Sequence, residues 1–337
     1  MTPTSLGHPS IGRPSDTNPS DTNPSIGRRL ALIAGAACAF ATALTVLARA
    51  TGFEWGPFAW LVALTPWALV GIAACVALAA GARSWRLAAV AAVIAVPLTW
   101  WQLPVWTADA PRESASTLTV ASVSLTFGRA DAHEVVALVK NHGVDLLALQ
   151  ELTPEAADAL AEAGLSTHLP YSAAFPEPGY VGVGLWSRLA LESAESVDGF
   201  TSHLVRAGVA TEQGPLTVLA PHPAAPGPFS TDAWRADTEA LVDLLAAQDG
   251  PTLVVGDLNM TRDHRAFRAL EDRGYASAAD QAGAGWVMSF PHGRLPFPVA
   301  GIDHVLLRGG PFAAQAVSTA PVSGADHLAL VAQLGAP

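Results

Sequence analysis

Three long apolar stretches follow one another near the N-terminus, at residues 30–48, 58–80 and 87–106. Each is close to the ~20 residues that an α-helix needs to cross a bilayer. The third contains Pro97, which a membrane helix tolerates by kinking. The first stretch could instead be the core of a signal peptide, and all three could be helices buried in a soluble domain. The pattern favours three transmembrane helices within residues 28–106.

After residue 116, short apolar runs alternate with amphipathic segments. The strongest helix signal covers residues 231–248, where Trp234, Leu241 and Leu245 recur on one face. Strands are predicted at residues 117–123, 146–150, 181–186, 204–210, 216–220, 252–255, 303–307, 314–318 and 328–334. Further helices are predicted at residues 132–142, 154–163 and 264–273. Strands and helices that alternate in this way indicate one α/β domain over residues 117–337.

The remaining segments carry no pattern of this kind. Residues 1–27 are polar and contain two repeated pentapeptides, so they are too poor in apolar residues to form a core. We expect them to be a disordered tail. Residues 107–116 contain Pro and Ser and are predicted to link the helices to the α/β domain.

The arginines around the apolar stretches predict an orientation. Arg28 and Arg29 precede the first stretch, and Arg83 and Arg86 lie between the second and third. Positive charges favour the cytoplasmic side of a membrane. Three crossings would then place the N-terminus in the cytoplasm and the α/β domain outside it.

The composition of the α/β domain limits which substrates and which chemistry it can use. Half of the residues are hydrophobic and the net charge is −11, with most acidic residues after position 108. An acidic domain makes nucleic acid an unlikely partner, because nucleic-acid binding relies on basic contacts to phosphates. A phosphate substrate remains compatible, since a bound divalent metal supplies local positive charge. The two cysteines, Cys38 and Cys75, lie in predicted spans, so the domain has no thiol nucleophile.

The segment Gly256-Asp257-Leu258-Asn259 follows the apolar strand at residues 252–255. It places a carboxylate and an amide at a strand end, where α/β proteins hold catalytic groups. Gly-Asp-x-Asn is also a common turn sequence. Three further segments add acids and histidines: Leu149-Gln150-Glu151, Gly301-Ile302-Asp303-His304 and Ala325-Asp326-His327. Together they predict hard oxygen ligands for a divalent metal.

These four segments, in this order, resemble the endonuclease/exonuclease/phosphatase (DNase I-like) superfamily. The resemblance is greatest to its membrane-anchored teicoplanin-resistance (VanJ-type) branch, in residues 133–154, 184–188 and 221–226 and in the three apolar stretches. It implies a four-layer α/β sandwich, in which helices flank two packed mixed sheets.

The resemblance also implies roles for individual residues. Glu151, Asp326 and Asp257 would bind Mg²⁺ or Mn²⁺. Asp257 would orient or deprotonate the attacking water, and Asn259 would bind a phosphoryl oxygen. Asp303 would hold His327, whose protonated ring would stabilise the phosphate in the transition state.

Two more positions follow from the same comparison. His222 would lie over the phosphate as a catalytic and substrate-binding residue. Ser124 occupies the place where the superfamily usually has an Asn that binds substrate or metal. A Ser hydroxyl has one donor and a shorter reach than a carboxamide.

The sequence therefore predicts a membrane-anchored, metal-dependent phosphoesterase that acts outside the cytoplasm. We expect its substrate to be a phosphoester or pyrophosphate of a lipid or of another cell-envelope compound, and the branch implies a link to glycopeptide resistance. Two alternatives stay open: an extracellular nuclease, and a head-group-binding module in which Ser124 marks lost catalysis. The sequence sets neither the physiological metal nor the oligomeric state.

Overall fold

The computed structural model describes residues 26–109 and 116–336 of the chain. Most of the predicted tail and linker, residues 1–25 and 110–115, lies outside the described residues. The helices are α1 Ile26–Thr51, α2 Pro57–Ala63, α3 Thr65–Gly81, α4 Trp85–Gln102, α5 Ala132–His142, α6 Pro154–Glu162, α7 Leu165–His168, α8 Asp232–Ala246, α9 Arg265–Glu271 and α10 Ala278–Gln281. The strands are β1 Ser116–Ser124, β2 Leu146–Gln150, β3 Tyr171–Phe175, β4 Val183–Ser187, β5 Leu191–Val197, β6 Leu204–Thr211, β7 Gly214–Ala220, β8 Thr252–Asp257, β9 Ala276–Ser277, β10 Asp303–Arg308, β11 Ala313–Ala320 and β12 Ala329–Ala336.

The strands form two six-stranded mixed sheets. One has the order β11-β12-β1-β2-β4-β3 and the other β5-β6-β7-β8-β10-β9. Their inner faces pack together through aliphatic side chains such as Val120 and Leu146 from the first sheet and Val218 and Val255 from the second. Alternate residues of each strand face this core, as a two-residue strand period requires.

Helices cover the outer face of each sheet. Val135 of α5 and Leu160 of α6 pack on the first sheet, and Trp234 of α8 and Phe267 of α9 pack on the second. The predicted four-layer α/β sandwich is therefore confirmed. Burial of the α8 stripe explains why its helical period was readable from the sequence.

Local signals set several boundaries. The side chain of Asp131 accepts a hydrogen bond from the N–H of Glu134, and Thr153 accepts one from Ala156, so α5 and α6 begin where capping residues precede them. Strands β3, β5 and β9 were not predicted. Four consecutive β5 residues are exposed, and β9 has two residues, so neither carries a strong apolar alternation.

Strand directions bring several chain segments to one place. β1 and β2 run parallel, as do β7 and β8, whereas β10 is antiparallel to β8 and pairs Asp303 with Asp257. β8 also passes very close to the residue after β7: a Cβ on Gly256 would lie 2.4 Å from the carbonyl oxygen of Pro221. Only glycine permits this approach, which places the ends of β7 and β8 side by side.

The N-terminal helices differ from the three predicted spans. Among the described residues, α1 is long and apolar enough to cross a membrane, and 22% of its most apolar window is buried. The predicted second span is broken at Leu64, where α2 and α3 meet at a bend of 75° and qualify only if they are counted together. Pro66 lies in the first turn of α3, where proline favours a helix start over the continuation of α2.

The third predicted span also differs, since α4 ends at Gln102 and does not qualify as a membrane-crossing helix. The described residues therefore support one candidate span, or two with the bent pair, and not three.

The helical segment packs against the sandwich. Arg49, near the end of α1, forms a buried ion pair with Asp263, with 2.6 Å between Nε and Oδ1. Gln102 donates to the same carboxylate, and Ala59 of α2 belongs to the core that covers the second sheet. The helices and the sandwich thus share one interface.

Candidate active site

The predicted site residues lie at one end of the two packed sheets. Asp257 ends β8, Asp303 begins β10 beside it, and His327 lies two residues before β12. β12 pairs with β1, whose last residue is Ser124, so His327 is brought to the end of β1. Glu151 directly follows β2, the parallel neighbour of β1. Residues that are far apart in the chain therefore meet at this end.

Asp303, His327 and Asp257 form the centre of the site. His327 donates from Nδ1 to Oδ2 of Asp303 over 2.8 Å, and its Nε2 lies 3.7 Å from Oδ2 of Asp257. All three side chains are buried. The predicted Asp303–His327 pair is present, and the imidazole lies between two carboxylates.

Electrostatics separate the roles of the two acids. Burial raises the pKa of Asp257 to about 8, although His327 offsets part of the effect. Burial also opposes ionisation of Asp303, but the contact with His327 outweighs it and lowers the pKa of this carboxyl. Burial alone would lower the pKa of His327, but Asp303 and Asp257 raise it to about 10. The geometry supports an ionised Asp303 that holds a protonated His327, with Asp257 as the acid nearest to neutral pH.

His222 approaches the same carboxylate oxygen of Asp257 as His327 does. Its Nε2 is 3.8 Å from Oδ2 of Asp257, and its Nδ1 is buried without a hydrogen-bond partner among the described residues. Burial, followed by the positive charge of His327, lowers the pKa of His222 to about 4. His222 is therefore a neutral imidazole at pH 7, in contrast to His327.

Asn259 is held in an uncommon backbone conformation with φ of +47°. Its N–H donates to Oδ1 of Asp257 over 2.8 Å, and its side-chain amide donates to the carbonyl of Pro223 over 2.9 Å. Trp234 of α8 donates from its indole N–H to the carbonyl of Asn259. These bonds fix the loop that carries the amide beside Asp257.

Glu151 also has a positive φ, of +56°, which turns the chain directly after β2. Its Oε2 accepts a hydrogen bond of 2.6 Å from the N–H of Phe127. Burial raises the pKa of Glu151, while the Phe127 bond and the charge of His327 act in the opposite direction. The carboxylate is therefore close enough to His327 to sense its charge.

Asp326 has partners that the sequence did not reveal. Its Oδ1 accepts from the hydroxyl of Thr126 over 2.7 Å, and its Oδ2 lies 2.8 Å from a guanidinium nitrogen of Arg294. Thr126 follows β1 and could have been found from its place at a strand end. Arg294 lies in a long loop without a motif, so no sequence signal marked it.

The segments that carry these residues match a known family of proteins. The sequence profile of the Endonuclease/Exonuclease/phosphatase family matches residues 123–327, which include every predicted site residue. The chain belongs to this family. No curated protein matches the sequence. The finer resemblance to the teicoplanin-resistance branch stays a prediction.

Solved structures support the family fold. Humanized D. rerio TDP2 matches with a TM-score of 0.54 and 15% identity, over 66% of this chain and 100% of that one. An AP endonuclease from Archaeoglobus fulgidus matches with a TM-score of 0.53 and 17% identity, over 64% and 98%. An endonuclease/exonuclease/phosphatase from Beutenbergia cavernae matches with a TM-score of 0.51 and 18% identity, over 65% and 72%. At these identities the likeness concerns the fold alone.

Members of the endonuclease/exonuclease/phosphatase family generally depend on a divalent metal, and the donor set here fits one. Asp257, Asp303 and His327 offer atoms that all lie within 4.8 Å of one another, but a protonated His327 has no free lone pair, so only the two carboxylates of this group suit a metal. Oδ1 of Asp303 is buried and has no hydrogen-bond partner among the described residues. The ligand set predicted from the sequence, Glu151, Asp326 and Asp257, shares only Asp257 with this group. The assignment of ligands stays a prediction.

The effect of having Ser124 where the family usually has an Asn can be tested by substitution. Its hydroxyl is buried and has no partner among the described residues. Replacing Ser124 by Ala therefore removes no internal hydrogen bond, and we expect unfolding stability to stay within about 0.5 kcal/mol of wild type. If the hydroxyl binds substrate or a metal-bound water, kcat/KM should fall about three- to tenfold, as for one neutral hydrogen bond. Unchanged kcat/KM would show that the Ser124 hydroxyl binds neither substrate nor a metal-bound water.

Proposed function

We propose that this chain is a divalent-metal-dependent phosphoric ester hydrolase, held at a membrane by its N-terminal helices with the catalytic domain outside the cytoplasm. The observation that carries the proposal is the buried group of Asp257, Asp303 and His327, which lies beside Glu151 at the end of both sheets. The proposed substrates are phosphoesters or pyrophosphates of lipids or other cell-envelope compounds. A role in glycopeptide resistance rests on the sequence resemblance alone.

The residues support a consistent division of roles. In its ionised form, which the charge of His327 favours, Asp257 accepts a proton from the attacking water, and Asn259, fixed beside it, donates to a phosphoryl oxygen. His327, held by Asp303, stabilises the negative charge that develops on the phosphate. His222 contributes a neutral imidazole next to Asp257. Bound Mg²⁺ or Mn²⁺, held by Glu151 with Asp257 and Asp326, would polarise the phosphoryl oxygens.

Two observations support the membrane setting. Helix α1 is long and apolar enough to cross a bilayer, and Arg28 and Arg29 precede most of its apolar residues. Tethering would raise the effective concentration of lipid-linked substrates at the site. Protease treatment of intact cells tests this arrangement: we expect cleavage within the sandwich, and full protection until lysis would place the domain in the cytoplasm.

Metal removal is expected to abolish activity. The full chain in detergent should hydrolyse bis(p-nitrophenyl) phosphate with Mn²⁺, lose activity in EDTA, and regain it when Mn²⁺ is restored. Replacing Glu151 by Gln removes the charge of one proposed ligand, so we expect Mn²⁺ affinity to fall about 10- to 100-fold, in the range seen when groups that support a metal site are lost. Equilibrium Mn²⁺ binding measures this without turnover.

The control for this variant is Glu155→Gln, which changes an exposed acid in the first turn of α6. It should bind Mn²⁺ as wild type does. A Glu151→Gln variant that also bound Mn²⁺ normally would contradict the role of Glu151.

The two alternative functions predict different results in the same assays. A nuclease would prefer a single-stranded oligonucleotide to the small phosphodiester. The net charge of −11 disfavours binding of such an oligonucleotide. A head-group-binding module would bind phosphate compounds without turnover at any metal concentration.

A further inference from the structure

One loop connects the catalytic centre with the N-terminal helices. At its start, the ring of Phe290 lies 4.8 Å from the ring of His327, and the N–H of His292 donates to the carbonyl of Asp326 over 2.6 Å. At its end, the indole N–H of Trp67 in α3 donates to the carbonyl of Val299 over 2.8 Å. We call residues 290–299 the bridging loop.

Arg294 lies at the exposed part of the bridging loop nearest to the catalytic acids. One of its terminal nitrogens is 2.8 Å from Oδ2 of Asp326, the neighbour of His327, and 61% of the side chain is exposed. A guanidinium has five N–H donors in a planar fork that matches a phosphate. The donors that do not contact Asp326 are therefore available to an anion that enters beside His327.

The residues that follow Arg294 are apolar and also exposed. Leu295 is 48% exposed and Phe297 is 55% exposed. The ring of Phe297 stacks on Trp67, with 5.6 Å between ring centroids and 24° between planes. This apolar pair continues onto α3, which packs against α1, the helix long enough to cross a membrane. The guanidinium and the exposed apolar side chains of Leu295 and Phe297 thus lie within four consecutive residues.

We propose that the bridging loop recognises an amphiphilic phosphate, in which Arg294 binds the phosphate and Leu295 and Phe297 contact the hydrocarbon chain next to it. This inference rests on the proposed function and names its substrate class as a lipid phosphate. The charge of Arg294 complements the phosphate, and the apolar surface is continuous with the helical segment. A soluble phosphate compound without a chain would use only Arg294.

Binding, measured separately from turnover, tests the proposal. The full chain in detergent is titrated with dioleoyl phosphatidic acid in mixed micelles and with glycerol 3-phosphate, which has the same phosphate without chains. Wild type should bind the lipid at least about tenfold more tightly. Arg294→Gln should weaken binding of both compounds about tenfold, as expected for a lost charge-assisted hydrogen bond. Leu295→Ser/Phe297→Ser should remove the preference for the lipid and leave glycerol 3-phosphate binding unchanged.

Two control variants keep the result specific. Arg206→Gln removes an arginine that pairs with Glu195 on the second sheet. Tyr171→Ser removes an exposed ring at the first residue of β3. Both should bind as wild type does. Equal binding of the two compounds by wild type, normal binding by Arg294→Gln, or a lipid preference that survives the double substitution would each overturn the proposal. Metal-dependent hydrolysis of the small phosphodiester by wild type tests the proposed function separately, so the failure of either proposal can be recognised on its own.

Discussion

Replacing Asp257 by Asn should lower kcat about 10²- to 10⁴-fold and leave the fold intact. The carboxylate is the proposed proton acceptor, and its Oδ2 lies 3.7 and 3.8 Å from the Nε2 atoms of His327 and His222. Asn has the same shape and can still accept the hydrogen bond from the N–H of Asn259 through its oxygen. Steady-state hydrolysis of bis(p-nitrophenyl) phosphate at saturating Mn²⁺ measures the effect.

The matched control is Asp243→Asn, which changes an exposed acid on α8. Its kcat should equal that of wild type, and both variants should unfold at the wild-type temperature. An Asp257→Asn variant that retained kcat within about threefold of wild type would rule out the proposed role of Asp257.

Replacing Arg49 by Met should destabilise the protein by about 3–5 kcal/mol. The substitution removes the arginine that forms the ion pair with Asp263. Because both side chains of the pair are at most 8% exposed, water cannot replace the lost charge. Gln102 still donates to the Asp263 carboxylate, over 3.1 and 3.2 Å, but a neutral amide does not balance the charge. Denaturant unfolding of the full chain in detergent measures the loss.

Two further variants separate this explanation from a general effect of losing an arginine. Arg206→Met breaks a half-exposed ion pair with Glu195 and should cost less than about 1 kcal/mol. Adding Asp263→Leu to Arg49→Met removes the unpaired charge and should recover much of the lost stability. A double variant as unstable as Arg49→Met would show that the buried charge is not the cause.

The same interface joins the helices to the segment that follows Asn259. His264 donates from Nε2 to the carbonyl of Ala59 over 3.0 Å, and Arg262 donates to the carbonyl of Trp101 over 2.8 Å. Both belong to the segment that directly follows Asn259. Removing the helices would expose this segment and leave Asp263 without Arg49, so the tests above use the full chain.

The sequence predicted the elements and site residues whose signals are local. Asp257 and Asn259 follow a continuous apolar strand, and Glu151 follows another, so strand ends could be recognised without tertiary information. The role of each residue came from the family resemblance and not from the pattern. The membership of the family is shown, whereas the individual roles remain to be tested.

Other features depend on residues that are distant in the chain. Arg49 and Asp263 are separated by 214 positions, and nothing near Asp263 shows that it is buried against a helix end. The break at Leu64 was signalled by Pro66, but the continuous apolar composition of residues 58–80 masked it. Apolar composition alone does not distinguish one helix from two.

The most direct test of the central claim is hydrolysis by the full chain of bis(p-nitrophenyl) phosphate, p-nitrophenyl phosphate and a prenyl pyrophosphate, with Mg²⁺ or Mn²⁺. His327→Ala is compared with His133→Ala, which changes an exposed histidine on α5. We predict metal-dependent turnover of at least one compound, lost in His327→Ala and kept in His133→Ala. Turnover that survives in His327→Ala, or no turnover of any compound in detergent and in lipid vesicles, would contradict the account.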